Sequence, residues 1–170
     1  KNDILCFGDA TGAIEINITG GTPTEVSPGI FEYGYSWTGP NSFTSNAQNI
    51  SNLLAGTYTI EVTDELGCIE RRDIELTQPT AIEIDYTKTD VTCYGEADGS
   101  IDISVNGGNP PYQISWSNLG NGFSQSNLSA GKYIATIVDK NLCEAKVTIT
   151  IEQTIFFIAP IVTPISCNNT

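Results

Sequence analysis

One string of residues is written twice in this chain, and that duplication restricts the fold more than any other feature. Cys6, Gly8, Gly12, Ile14, Ile16, Gly20, Gly21, Pro23, Ser36, Trp37, Leu53, Ala55, Gly56, Tyr58, Asp64 and Cys68 recur in order as Cys93, Gly95, Gly99, Ile101, Ile103, Gly107, Gly108, Pro110, Ser115, Trp116, Leu128, Ala130, Gly131, Tyr133, Asp139 and Cys143. Spacing is held at both ends: Cys6 to Gly21 and Cys93 to Gly108 each span 15 positions, and Gly56 to Cys68 and Gly131 to Cys143 each span 12. The length difference lies between Gly21 and Gly56, where the first copy is longer by 12 residues, mostly at 22–33. A repeat of this period predicts an array of like modules.

At 170 residues the chain would pass for one domain on size alone. The duplication instead predicts one module at 1–78, a second at 79–153, and at 154–170 the lead-in strand of a truncated third. Gln78-Pro79 marks the boundary, since proline cannot extend a paired central strand and restricts the residue before it. Units of roughly 75 residues sit near the size at which a hydrophobic core alone becomes marginal. The cysteines fit that need. Cys6 and Cys68 occupy places matching Cys93 and Cys143, and Cys167 falls where a third copy would begin. Disulfides Cys6–Cys68 and Cys93–Cys143 are therefore expected, with buried free thiols as the alternative. They would close loops of 63 and 51 residues, each contributing roughly 4 kcal/mol in the chain-entropy treatment. Such bridges point to an oxidising, extracytoplasmic setting.

The net charge of −13, from 7 basic and 20 acidic residues, leaves no cationic patch for nucleic acid or an anionic membrane surface. The longest apolar run, Ile155 to Val162, is interrupted by Pro160 and too short to span a bilayer. With no histidine, the usual general base and the Ser-His-Asp and Cys-His arrangements are absent. No Cys-x-x-Cys pair completes a zinc site. Acidic residues are scattered at strand edges and turns with no pair singled out, so no enzymatic activity is expected. No cofactor is expected either, calcium being the one candidate. Asp9 in the turn Gly8–Gly12, Glu96 and Asp98 in the turn Gly95–Gly99, and the recurring Asp64 and Asp139 place hard oxygens in tight turns. Against it, aspartate at a turn more often bonds its own backbone.

Short alternating runs bounded by turn residues predict strands at 13–18, 33–37, around Phe43, 59–62 and 69–76 in the first copy. In the second they fall at 81–86, 101–105, 112–116, 133–138 and 147–151, and no helix is expected. The pattern predicts an all-β chain of two tandem antiparallel sandwiches, plus the first strand of a third repeat. Trp37 and Trp116 follow the Gly-Gly turn, where a large ring fills the space between sheets. Leu53-x-Ala55-Gly56-x-Tyr58 and Leu128-x-Ala130-Gly131-x-Tyr133 look like the tyrosine corner of immunoglobulin-like sandwiches, the phenol bonding back to the backbone. A sugar-stacking platform is the alternative reading of these aromatics. The insertion offers the best place for a ligand contact, with Phe31 and Tyr33 beside Glu25 and Glu32, although a passive longer hairpin is the favoured explanation of it.

The string C-[FY]-G-[DE]-x-x-G-x-I-x-I, followed by GG-x-P, SW, L-x-AG-x-Y and D-x-x-x-C, resembles the SprB repeat, found in tandem in very large surface adhesins of gliding bacteria. The resemblance implies immunoglobulin-like or PKD-like modules exported by the type IX route and displayed at the outer cell surface. It implies a non-catalytic segment serving adhesion and gliding motility as rigid stalk or contact surface. Partners would be neighbouring repeats and extracellular surfaces or polysaccharides. Copy one departs by its insertion, and Cys167 is followed by Asn168-Asn169-Thr170 where an aromatic, a glycine and an acid are expected. The alternatives are a carbohydrate-binding module of a secreted enzyme and a spacer without ligand. The apolar residues 155–165 would in addition pair with an open sheet edge, giving head-to-tail self-association.

Overall fold

In a computed structural model the described residues are 1–154. The first copy builds β1 (Gly12–Ile14), β2 (Thr24–Ser27), β3 (Ile30–Glu32), β4 (Gly34–Gly39), β5 (Phe43–Ser45), β6 (Ile50–Leu53), β7 (Gly56–Thr63) and β8 (Ile69–Leu76). The second builds β9 (Glu83–Thr89), β10 (Gly99–Asn106), β11 (Gln113–Trp116), β12 (Ser124–Leu128), β13 (Gly131–Val138) and β14 (Glu144–Ile151). The only helical turn among the described residues is a 3-10 turn at Pro40–Ser42. Every pairing between these strands is antiparallel, and a parallel bridge joins Val91 to Gln153.

Each copy is a two-layer sandwich. In the second, β12-β10-β9 faces β11-β13-β14; in the first, β1-β6 faces β5-β4-β7-β8, and the insertion forms the separate hairpin β2-β3. Alternation along each strand decides which side chains point inward. Tyr58 and Ile60 of β7, and Ala135 and Ile137 of β13, are buried two residues apart. Trp37 joins Ile14, Leu53, Tyr58 and Leu76 in one core, while Trp116 joins Ile101, Leu128, Ile137, Ile149 and Ile151 in the other. No residue is common to the two cores. Both indoles are buried, so core packing and not sugar stacking accounts for them.

The shared motif residues hold the same bonds in both copies. Trp37 Nε1 donates to Ala47 O and Trp116 Nε1 to Gly122 O, each at 2.9 Å. Tyr58 Oη donates to Leu54 O at 3.0 Å and Tyr133 Oη to Ser129 O at 2.8 Å, each four residues back, as a tyrosine corner requires. Gly12 and Gly99 are glycine because an added Cβ would lie 2.9 Å from Leu53 O and 2.8 Å from Leu128 O. These glycines let β1 and β10 approach β6 and β12 closely.

Three expectations change. The strand expected at 13–18 stops at Ile14, whereas its counterpart β10 runs to Asn106. The reason is β9, which pairs along β10 from Ser100 to Asn106, whereas on the matching side of β1 Asn2 alone among the described residues pairs, bridging Ala13 as Thr89 does Ser100. Beyond Ile14 side chains take over: Ile16 N–H donates to Asn49 Oδ1, and Gln48 Nε2 donates to Ile16 O. The strand expected at 81–86 lies at Glu83–Thr89, since Ala81 and Thr80 are engaged by the Gly107-Gly108 turn. Strands β6 and β12 give no alternating signal because both are short and each is broken by a left-handed asparagine, Asn52 and Asn127 at a φ of 57°. The expected lead-in strand of a third repeat, with residues 155–165, falls outside the described residues.

Candidate functional site: the junction between copies

The junction forms where a turn carrying the first cysteine of copy one meets a turn carrying the last cysteine of copy two. The lower turn hangs from the end of β8. Ile4 N–H donates to Thr77 O, Asp3 Oδ1 accepts from Thr77 N–H at 2.8 Å, and Lys1 Nζ binds both Asp3 and the Glu75 carbonyl. The Thr77 backbone N–H, and after it Lys1, hold the Asp3 carboxyl below the usual carboxylate range. Cys6 O then accepts from Asp9 N–H, Gly8 turns the chain at a φ of 80°, and Gly8 N–H reaches Gln78 Oε1. The turn is thereby fixed to the residues that lead into Pro79.

The upper turn is built by one carboxylate. Asp139 Oδ1 accepts from Asn141 N–H and Cys143 N–H, and its Oδ2 accepts from Asn109 N–H at 2.9 Å. Asp139 N–H closes the loop onto Cys143 O. Asp139 is the one polar or charged residue buried among the described residues, at 3% exposure. Three backbone donors make that burial tolerable.

Between these turns lies a disulfide that the motif spacing did not suggest. Cys6 is bonded to Cys143, with their Cα atoms 5.5 Å apart and 137 positions between them in sequence. Among the described residues Cys68 and Cys93 have no disulfide partner, and both are exposed. The expected pairs Cys6–Cys68 and Cys93–Cys143 are therefore corrected. Within a copy the first cysteine follows the bridge beside the end of β8, while the last cysteine sits in the turn between β7 and β8. Those places lie at opposite ends of an eight-residue strand, and a strand that long spans roughly 25 Å, beyond any disulfide.

A groove of about 330 Å³ runs beside the bridge, lined by Phe7, Asp9, Pro79, Ile82, Asp139 and Leu142 among others. Asn141 Nδ2 donates across it to Leu5 O at 3.2 Å. The turn of copy one that matches Asp139–Cys143 has the same bonds, Asp64 Oδ1 accepting from Leu66 N–H and Cys68 N–H and Oδ2 from Thr22 N–H. Led by the Cys68 N–H, these donors keep the Asp64 carboxyl low. Yet Cys68 is exposed where Cys143 is buried. The difference is the docked neighbour.

The remaining sequence candidates disperse. Asp64 and Asp139 are occupied by backbone donors, and Asp98 accepts from Thr92 N–H and Thr92 Oγ1, the latter chiefly lowering its carboxyl. Asp9 and Asp139 share the junction groove, whereas Glu96 belongs to the turn after Cys93. Among the described residues no three acidic or cysteine side chains are grouped to hold a metal. In the insertion, Glu25 and Phe31 face each other in register on β2 and β3, and Phe31 and Glu32 are exposed. Glu25 also accepts from Gly29 N–H within the hairpin. Tyr33 donates its hydroxyl to Gly20 O, as its counterpart Tyr112 does to Gly107 O. That shared bond assigns Tyr33 to the scaffold, a role visible in the sequence once it is counted back four positions from each tryptophan.

A second groove, about 740 Å³, opens on copy one, where Ile16, Ile18, Ile60, Val62, Ile69 and Ile74 line its apolar part. In copy two the corresponding edge is covered by β9, whose Ile84 packs on the core.

Part of each copy matches the family model of the SprB repeat. The family model covers residues 1–24, around Cys6, and residues 86–121, around Cys93. No curated protein matches the chain. Solved structures similar to it include the amphioxus IgVJ-C2 molecule, at 14% identity and a TM-score of 0.35, covering 83% of this chain and 95% of that one. Another is the N-terminal four immunoglobulin domains of Dscam1 isoform 9.44, at 11% identity and a TM-score of 0.36, covering 86% of this chain and 46% of that one. At these values the assignment of immunoglobulin-like sandwiches rests on the sheet pairing and on the paired tyrosine corners. SprB repeats occur in surface-displayed proteins, and sandwiches of this kind are typical of non-catalytic modules. Among the described residues no helix is long and apolar enough to cross a membrane.

Proposed function

We propose that this chain is a non-catalytic repeat segment of a large bacterial cell-surface adhesin, serving surface adhesion and gliding motility as a stiff display stalk. The match of part of each copy to the SprB repeat carries the reading. The junction supports its mechanical part: a covalent bond between Cys6 and Cys143 spans a short linker that holds Pro79 and no glycine or serine. Two tethers, one peptide and one disulfide, restrict hinge motion far more than one flexible linker would. The acidic exterior suits an exposed, soluble array, and export to an oxidising outer surface suits the bridge. No cofactor enters this role, since the turn carboxylates are already bonded to backbone.

Partners in this reading are neighbouring repeats and extracellular surfaces or polysaccharides. The open groove beside β1 is the place for a lead-in strand, because β9 fills the corresponding place in copy two. The apolar sequence 155–165 of a second copy is the partner proposed for it, with head-to-tail association rising with concentration. Light scattering that finds one monomeric species at every concentration would remove this part.

Adhesion is tested with microspheres coated with the chain and pulled from glass, agar and polysaccharide films. Detachment force above that of uncoated spheres is the expected result. Equal forces on every surface would leave only the spacer role.

A further inference from the structure

We infer that the Cys6–Cys143 bridge is one link of a repeating series, in which the first cysteine of each copy pairs with the last cysteine of the next. On that rule Cys93 and Cys68 are the two complementary halves of a further bridge, each shaped to receive a second copy of this repeat. The inference rests on the tandem-array reading and not on adhesion.

The two unpaired cysteines stand in turns that duplicate those of the paired ones. Cys93 O accepts from Glu96 N–H at 3.2 Å, as Cys6 O does from Asp9 N–H at 3.2 Å, and Gly95 turns at a φ of 85° where Gly8 turns at 80°. The suspension of the lower turn is also repeated. Val91 N–H donates to Glu152 O, Asp90 Oδ1 accepts from Glu152 N–H, and Lys88 Nζ binds Asp90 and Thr150 O. Cys68 N–H donates to Asp64 Oδ1 at 2.8 Å, as Cys143 N–H does to Asp139 Oδ1 at 2.9 Å. The position before each is left-handed, Gly67 at 80° and Leu142 at 66°.

Both halves therefore hold the geometry that has formed a disulfide at the observed junction, and both are exposed. Their apolar neighbours are exposed as well: Tyr94, the counterpart of groove-lining Phe7, at 72%, and Leu66, beside Gly67, at 76%. The pairing is heterologous, first-type to last-type, and such an interface propagates head to tail, ending only where its rotation closes a ring. The chemistry needs an oxidant, and a small-molecule disulfide supplies it. The Cys93 thiolate attacks it, releasing one thiol and forming a mixed disulfide; the Cys68 thiolate of a second copy then displaces the other thiol. One disulfide is reduced, one is formed, and the two cysteine protons end on the two released thiols.

The test uses two full-length proteins, both with Cys167→Ser. One also carries Cys68→Ser and presents only Cys93, and the other carries Cys93→Ser and presents only Cys68. Each is incubated alone and mixed with the other in oxidised and reduced glutathione, and products are mapped by non-reducing peptide mass spectrometry. The mixed dimer joined Cys93 to Cys68 is expected to exceed the symmetric dimers by about tenfold, the ratio that complementary over non-complementary contacts supply, with Cys6–Cys143 intact. Random pairing, no dimer, or exchange of Cys6 out of its bridge would each overturn the inference.

Discussion

Replacing both members of the observed bridge, Cys6→Ser with Cys143→Ser, removes a constraint that acts on each copy separately. If copy one unfolds while copy two stays folded, Cys6 remains pinned beside the start of copy two, so the closed loop is the stretch from Cys6 to Pro79, not all 137 positions. A loop of roughly 75 residues corresponds to about 4.5 kcal/mol in the chain-entropy treatment. The same reasoning applied to copy two, pinned at Cys143, gives a loop of roughly 65 residues and about 4 kcal/mol. Both copies should therefore lose about 4 kcal/mol from the loss of one bond, with denaturant slopes raised because the released unfolded chain exposes more surface. Urea titration followed by tryptophan fluorescence resolves the two, because Trp37 lies in one core and Trp116 in the other. Trp116→Phe and Trp37→Phe backgrounds isolate each signal. The control is Cys68→Ser with Cys93→Ser, expected to stay within about 0.5 kcal/mol as an exposed surface change. If that control destabilises both copies as much as the first variant does, the bridges lie within the copies and the junction argument fails. A loss confined to one copy would refute the pinned-loop reasoning alone.

Further outcomes follow from the bonds described. Tyr58→Phe should cost about 1 kcal/mol, the worth of one neutral hydrogen bond, by lowering the urea midpoint of the Trp37 transition and leaving that of Trp116 in place. Asp139→Ala strands three backbone donors in a buried turn and should cost about 2 to 4 kcal/mol. Asp64→Ala, in the same turn open to water, should cost visibly less in the same titration. Acid stability is set in part by Asp3, Asp64, Asp90 and Asp98, whose carboxyls are all held below the usual range by hydrogen bonds to their charged form. The folded chain then binds fewer protons than the unfolded one, so this stability is complete above about pH 5 and is lost as pH falls below about 4. A melting temperature that rises on acidification through that window would contradict the assignment. Calcium added after chelation should leave the melting temperature unchanged, and an upward shift of several degrees would show that Asp9, Glu96 or Asp98 takes part in a site that the turns alone do not form.

Much of the sandwich was legible because it depends on local alternation. Ile69 to Leu76 was read as a strand and is one, since its turn, its length and its single buried end at Leu76 are all encoded within the segment. The core positions of Trp37 and Trp116 are legible from their place on the strand after the Gly-Gly turn, and the tyrosine corners from a six-residue string. What failed was set by partners. The length of β1 depends on whether a neighbour such as β9 is present, and no alternation within residues 13–18 reveals that. Strands β6 and β12 are polar and exist because β1 and β10 pair with them, so their own residues give little signal.

The cysteines were misread for a related reason. Equal motifs invite equal pairings, and pairing the first cysteine of a copy with its last is the simplest assignment that treats both copies alike. A second assignment is just as symmetric in an endless array, the first of one copy with the last of the next, and a sequence alone does not choose between them. Geometry does. An eight-residue strand separates the two turns within a copy, while the short linker at Pro79 brings the lower turn of one copy against the upper turn of the following one. Counting unpaired cysteines separates the assignments in any fragment of such an array. Pairing within copies leaves none inside complete copies, whereas pairing between copies leaves one at each outer face, as Cys68 and Cys93 are left here.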